Sequence, residues 1–486
     1  MSSFLHSPSS ISFLSSLITY QNPIKIHLPS LTSTTSSSSR TLILACTTSN
    51  PNKNTNNKRP MFKNRKKSSY GTSRRSITKK TFTQEQVNFS ATVAEDPHVA
   101  IIGGGMAGLA CALNLEKRGV KSTVFDTGNH GLGGRMATRV IDPHPLVFDH
   151  GAQFFTVSDP QFSELVDGWL DKGLIRQWNG TIGELEVGGQ FVALPSSTPR
   201  YIGVNGMRPL ADSLLSETAM VNVVRPCWIS KLEPFNGMWH LSENGVPRGQ
   251  FDVIVIAHNG KCANRLLSSS GLPLIARQMK KLDLSSIWAL LAAFDDPLPI
   301  PSGAPPFEGA FVKGVDAVSW MGNNTMKLFS KSSSPHCWTF FSTAAFGKKN
   351  KVPQENIPTA TGERVKTTML EGVEAALGLK LKTPFYSRVQ LWGAALPTNT
   401  PGVPCIFDPH GRAGICGDWL LGSNLESAAL SGIALANHIG DYLKSGGVRP
   451  EEFAVGLNED FKPLEGRDIG QFSISAKENE PSVVIH

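Results

Sequence analysis

Apolar residues along this 486-residue chain come in short, bounded runs separated by glycine, proline and polar clusters. From residue 98 the sequence reads HVAIIGGGMAGLACALNLEKRGVKSTVFD. Its β-branched opening predicts a short buried strand. Three glycines interrupt that run, and AGLACALNLEKRG then repeats apolar residues at helical intervals. Gly119 ends the helix, and KSTVFD predicts a second strand closed by an acid. FDVIVIAHN (251–259) reads as a parallel strand buried on both faces. RAGICGDWLLGSNLESAALSGIALANHI (412–439) reads as strand, turn and amphipathic helix. Between them, residues 220–241 (MVNVVRPCWISKLEPFNGMWHL) predict a hairpin. SIWALLAAF, GAFVKGVDAVSWM and HCWTFFSTAAF predict antiparallel strands by their β-branched and aromatic content. Residues 361–378 predict a helix, 386–397 (YSRVQLWGAALP) a further strand, and the polar tail 446–486 a frayed end.

The alternation of strand and helix is that of an α/β protein. Length and a 40% hydrophobic content suffice for two domains. The longest apolar run, IWALLAAF at 287–294, is strand-sized, far below the ~18 residues of a membrane span. A soluble protein without stable membrane insertion is the expectation, and no internal repeat is visible.

The formal charge of +8 belongs to one end. No acid precedes Glu85, whereas residues 1–84 hold 13 Lys and Arg; the remainder carries 34 basic and 39 acidic residues, a net of −5. Residues 1–46 are Ser/Thr-rich and acid-free, as in an organelle transit peptide, with cleavage expected near Cys46. The scarcity of arginine before Arg40 favours a plastid, hence a chloroplast stromal location. Residues 47–97 read as a disordered basic linker, too polar to offset the entropy of ordering. A nucleic-acid arm is the alternative for NKRPMFKNRKK and SRRSITKK, although no nucleic-acid partner is expected. Seven scattered cysteines without a CxxC pair predict neither a disulfide framework nor a metal site.

Gly103, Gly105 and Gly108 have the spacing G-x-G-x-x-G, with Met106 and Ala107 inside it at the helix start. The first glycine permits a tight turn, the second lets backbone N–H groups approach a pyrophosphate, and the third allows close helix–strand packing. The helix N-terminus lends its dipole to phosphate charge. Asp126 follows Gly103 by 23 residues, near the spacing at which an acid holds ribose hydroxyls. Dinucleotide binding is therefore expected. GLGGRMATR follows, with Gly133, Gly134, Arg135 and Met136, and then FDHGAQFFT, with Gly151, Ala152 and Gln153. Arg135 can neutralise a pyrophosphate that glycines allow to come close.

Together these stretches and the late GD resemble the FAD-dependent amine-oxidase-like flavoproteins, and within them the renalase-like branch, over roughly residues 98–445. The resemblance implies a discontinuous Rossmann-like FAD-binding domain of glutathione-reductase type (98–165, 200–265 and 405–445). A mixed α+β cap from 166–199 and 270–404 would carry the substrate. It further implies that GGRM forms a second phosphate-side loop and that GAQ lies beside the flavin ring. Gly417 and Asp418 would meet the ribityl chain, and the helix starting at Asn424 and Leu425 would face the pyrimidine oxygens. The backbone near Ile229 would contact adenine, and Gln153 and Trp392 would wall the substrate pocket. Residues 201–215 match the segment preceding a helix that returns to the nucleotide domain. Noncovalent FAD is expected, since no Cys or His aligns with the covalent attachment points of relatives. Many amine oxidases place a lysine near flavin N5; Lys313 is the candidate here, with a solvated lysine as the alternative. His258 is left unassigned, and no catalytic acid or base is identified. The implied activity moves a hydride from a small reduced donor, of dihydronicotinamide type or an amine, to FAD and then to oxygen or a quinone. A plastid desaturase or oxidase of an isoprenoid or porphyrin precursor, and a non-catalytic flavin-binding protein, are the alternatives.

Overall fold

A six-stranded sheet gathers its strands from distant parts of the chain, in the order 406–408, 413–415, 253–256, 98–102, 121–125, 221–224. All neighbours are parallel except the first pair. The structure is a computed structural model that describes residues 84–143, 145–330 and 335–464. The expected transit peptide, the linker as far as residue 83 and the tail from 465 lie outside the described residues.

The central strand His98–Ile102 shows why its sequence is continuously apolar. Val99 and Ile101 pack on one face against the helices Met106–Lys117 and Leu425–Lys444. Ala100 and Ile102 pack on the other with Trp239, Leu266 and Ile275. That second face is covered by a three-stranded antiparallel sheet (231–235, 238–243, 246–251) and the helices Gly260–Leu267 and Pro273–Lys281.

A second sheet of seven strands runs in the order 386–397, 284–294, 336–341, 320–323, 309–313, 182–186, 190–193. The strand Leu284–Phe294 sorts its side chains by parity. Trp288, Leu290 and Ala292 face the helix Thr359–Leu377 through Val365, Met369 and Val373. Ile287 and Ala289 face Phe154, Trp178 and Trp320, while Leu291 and Ala293 face Leu146 and Phe148. The second sheet therefore lays one face directly on the segment 146–155.

Four stretches differ from expectation. Residues 221–224 are not half of a hairpin but the parallel edge strand of the six-stranded sheet. Residues 309–313 pair antiparallel on one side and parallel on the other, with 182–186. Residues 84–97, expected as linker, lie along the folded chain beside the six-stranded sheet: the Val87 N–H donates to Gly271 O at 2.8 Å and the Phe89 N–H to His410 O at 3.0 Å. Phe89 also sets its ring edge-on to Trp239 at 5.5 Å and under the Arg412 guanidinium at 5.2 Å. The tail as far as Leu464 is likewise tied down, Lys462–Pro463 pairing with Asn399–Thr400. Val87, Phe89 and Val93 anchor the first segment and Phe453, Val455, Leu457 and Phe461 the second, too few apolar residues to change a composition average. Among the described residues no helix is long and apolar enough to cross a membrane, and all six described cysteines are free thiols.

Candidate functional site

The glycine turn is built as tightly as its sequence demands at two of its three positions. A Cβ on Gly103 would stand 2.7 Å from Ala257 O, and one on Gly108 would stand 2.0 Å from Gly103 O. At Gly105 a Cβ would meet nothing within 4 Å. Gly105 is also the N-cap of the helix, and no side chain caps it. An open glycine at an uncapped helix N-terminus is what an anionic ligand requires. Met106 and Ala107 begin the helix, buried against the core. Asp126, at the end of its strand, accepts from the Gly104 N–H at 2.8 Å and the Gly128 N–H at 2.7 Å. It thus fixes the turn while each carboxylate oxygen keeps further lone-pair capacity.

The second glycine loop meets the first. Gly133 forms a backbone bridge with Gly105, its N–H donating to Gly104 O at 2.7 Å, and Gly134–Met136 make a single 3-10 turn. From this turn Arg135 reaches Asp418, with two hydrogen bonds of 2.6 and 2.8 Å, and donates to Ala395 O at 2.8 Å. The sequence expectations place arginine on the phosphates and aspartate on the ribityl chain. The two side chains, 283 positions apart, form an ion pair with each other. Gly417 precedes Asp418 in extended backbone, and its N–H donates to Ser431 Oγ at 3.0 Å. The helix beyond is capped by Asn424, whose side chain accepts from the Ser427 N–H at 2.7 Å, and starts at Leu425. Gly432 on that helix lies so close to the first helix that a Cβ would come 2.2 Å from Ala107 O.

GAQ runs beside the second loop. The Ala152 N–H donates to Arg135 O at 2.7 Å, and a Cβ on Gly151 would come 2.0 Å from that same oxygen. Gln153 donates its amide to Asp149 O (2.7 Å) and Gly151 O (3.1 Å), which fixes the side chain. Beneath it lies a buried polar network that the sequence reading missed. Asp149, fully buried, pairs with Lys327 at 2.8 Å; Lys327 is 1% exposed. The Asp149 carboxylate also accepts from Thr138 Oγ1 (2.5 Å) and from the Met207 N–H (3.0 Å) at a helix start. Lys327 donates to Gln153 O at 3.2 Å and lies 5.7 Å from the Trp178 ring centre. Asp149 directly precedes the HGAQ stretch, so its neighbourhood was signalled; nothing in NNTMKLF announces that its lysine is buried.

With this geometry in view, the family description "NAD(P)-binding Rossmann-like domain" matches residues 101–169. The chain is similar to protoporphyrinogen oxidase 2, chloroplastic/mitochondrial, of Arabidopsis thaliana, at 28% identity over 137 residues, 28% of this chain and 24% of that protein. It is similar to tryptophan 2-monooxygenase of Pantoea agglomerans pv. gypsophilae at 36% identity over 75 residues, 15% of this chain and 13% of that protein. The matched stretches thus span about a quarter or less of these relatives. Among solved structures, a putative protoporphyrinogen oxidase from Exiguobacterium sp. 255-15 superposes with a TM-score of 0.55 at 12% identity, covering 72% of this chain and 99% of that one. Cyclohexylamine oxidase from Brevibacterium oxydans IH-35A gives 0.54 at 13% identity, covering 72% and 100%. The chain has the flavin amine oxidase fold.

Within the flavin amine oxidase fold, the remaining candidates separate by burial. Trp392 donates its indole N–H to His150 O at 2.7 Å and stacks on the His150 ring at 5.5 Å, so it stands against HGAQ. His150 is buried, and its imidazole is held down at about 4, first by burial and then by Arg139. Lys313 is not in the site: it is exposed and pairs with Glu184 at 2.5 Å. His258 lies against the glycine turn, its Nδ1 3.0 Å from Ile102 O, and burial lowers its pKa. Ile229 is a core residue whose side chain packs with Trp239 and Phe251. Residues Gly103–Gly108, Gly133–Met136, Gly151–Gln153 and Gly417–Asp418 converge. The open helix end, the two glycine loops and the terminal acid fit a dinucleotide.

Proposed function

We propose that this protein is an FAD-dependent oxidoreductase of the amine oxidase and protoporphyrinogen oxidase type, in the renalase-like branch. The observation that carries the reading is the Arg135–Asp418 junction beside an uncapped helix end at Gly105. FAD, noncovalently bound, would supply the hydride acceptor and the onward route of electrons to oxygen or a quinone.

The chain's own residues hold and orient. The N–H groups from Gly105 to Gly108 take the diphosphate, with Gly133, Gly134 and Met136 bounding it. Asp126 takes the ribose hydroxyls, the backbone at Ile229 the adenine, and the Arg135–Asp418 pair with Gly417 the ribityl chain. The helix start at Asn424 and Leu425 stabilises negative charge on the ring. Gly151, Ala152, Gln153 and Trp392 wall the donor. The donor is a small molecule, a dihydronicotinamide or an amine. Because a hydride leaves as such, the wall's task is orientation rather than proton removal.

The test is anaerobic mixing of the purified, FAD-loaded chain with reduced nicotinamide isomers and with amines. Bleaching of the flavin absorbance is expected with one class. Folded protein that stays colourless and rejects FAD would overturn the reading. Denaturation should release the flavin into the filtrate; flavin that stays with the polypeptide rules out noncovalent binding. A second reading, an oxidase of a porphyrin precursor, is favoured by the Arabidopsis relative, and bleaching by protoporphyrinogen alone would select it. Plastid stromal location rests on the acid-free Ser/Thr-rich leader; a fluorescent fusion to residues 1–83 that stays outside chloroplasts would refute it.

A further inference from the structure

The strand Tyr386–Pro397 connects the cofactor end of the site to a charged cavity. Its Ala395 carbonyl accepts from Arg135, and Trp392 is fixed to His150. Four residues earlier stands Arg388, roughly 13 Å further along the strand at about 3.3 Å per residue. Arg388, Gln390 and Trp392 alternate onto one face. With Arg139, Gln354 and Ile357 they bound a cavity of about 220 Å³.

Two guanidinium groups line this cavity, and no acidic side chain does. Among the described residues neither arginine has a carboxylate partner; Arg139 donates only to the neutral Gln390 Oε1, at 3.3 Å. Burial and the neighbouring Arg388 both press the Arg139 pKa below its usual value. Arg139 is half-buried and Arg388 exposed, so both can meet a ligand from solvent, whereas Arg135 and Lys327 nearby are already paired with Asp418 and Asp149. Like charges left facing one another gain most from an anion of matching shape, and the planar fork of arginine suits carboxylate and phosphate.

We infer that this cavity binds the carboxylate or phosphate group of the donor, whose reacting end lies at Trp392 and Gln153. The inference rests on the oxidoreductase reading and narrows it: the donor is an acidic molecule carrying its anion some 13 Å from the reacting carbon, by the same strand spacing. A phosphorylated dihydronicotinamide or a carboxylate-bearing precursor meets this requirement, and a simple alkylamine does not.

The test uses the full chain loaded with FAD, as wild type, Arg139→Gln, Arg388→Gln and the double variant. Calorimetric titration with inorganic phosphate and with succinate reads the cavity without turnover. Binding of at least one probe is expected, weakened about tenfold or more in the double variant, the loss of a charge-assisted hydrogen bond. Phosphate alone points to a phosphorylated donor, and succinate alone to a carboxylate. In parallel, reduced nicotinamide adenine dinucleotide is compared with 1-methyl-1,4-dihydronicotinamide, which lacks phosphates. The ratio of their kcat/KM values should fall about tenfold in the double variant, mainly through KM. Undiminished probe binding in the double variant, or no binding by wild type, overturns the inference while bound FAD leaves the oxidoreductase reading standing. Failure to load FAD overturns that reading instead, and the titrations still decide the cavity.

Discussion

A lysine and an aspartate enclosed together cost several kcal/mol to desolvate, and the cost is recovered only when both are fully engaged. Thr138 and the Met207 N–H engage Asp149 Oδ1 and Gln153 O engages Lys327, while Asp149 Oδ2 has only the Lys327 ammonium, at 2.8 Å, among the described residues. Lys327→Met leaves the carboxylate buried without its partner, so unfolding stability should fall by roughly 3–5 kcal/mol in a denaturant titration. Adding Asp149→Asn should restore part of that loss. His150 gives a pH signature. Its folded pKa, about 4, lies below the ordinary 6.5, so the unfolded chain takes up a proton that the fold refuses. The contribution of His150 is complete above pH 6.5 and is lost as pH falls toward 4, about 3 kcal/mol in all. His150→Gln should flatten that slope when unfolding midpoints are compared from pH 7 to 4.5. The glycine turn offers a contrast. Gly105→Ala enters open space, so the melting temperature without FAD should hold while FAD affinity drops. Gly108→Ala forces a clash with Gly103 O and should lower both.

At the scale of elements, the helices Met106–Lys117 and Leu425–Lys444 touch backbone to backbone at Gly432. Gly432→Val should cost about 1–3 kcal/mol as overpacking. On the proposed function, in which both helix starts face the cofactor, it should also weaken FAD more than stability alone explains; equilibrium dialysis of folded variant protein checks this. Much of this level was legible beforehand. HVAII, the glycines and AGLACALNLEKRG announce strand, turn and helix because the signal is local. VNVV at 221–224 shows the limit: β-branched residues declare a strand but not its partner, which lies a hundred residues earlier at 121–125. The same ambiguity hid the parallel pairing of 309–313. Lys327 was invisible for a related reason, since burial of a charge depends on a counter-charge brought from residue 149 by the tertiary fold.

For the molecule as a whole, the Arg135–Asp418 contact joins the beginning and end of the nucleotide unit. Arg135→Gln and Asp418→Asn should therefore be coupled, with a double-mutant cycle on FAD affinity returning about 0.5–3 kcal/mol rather than additivity. The sequence displays each half of that junction, but not that the halves satisfy one another. The segment from residue 84 has a similar reach. Arg412, 2% exposed, hands its guanidinium to the carbonyls of Ala91 and Gly237, at the head of the strand that leads to Asp418. Any shortening of the chain from its N-terminal side would therefore meet a limit in this segment. A chain beginning upstream of Gln84 keeps the Ala91 acceptor for Arg412, whereas one beginning beyond Ala91 would strip that acceptor and uncover Trp239.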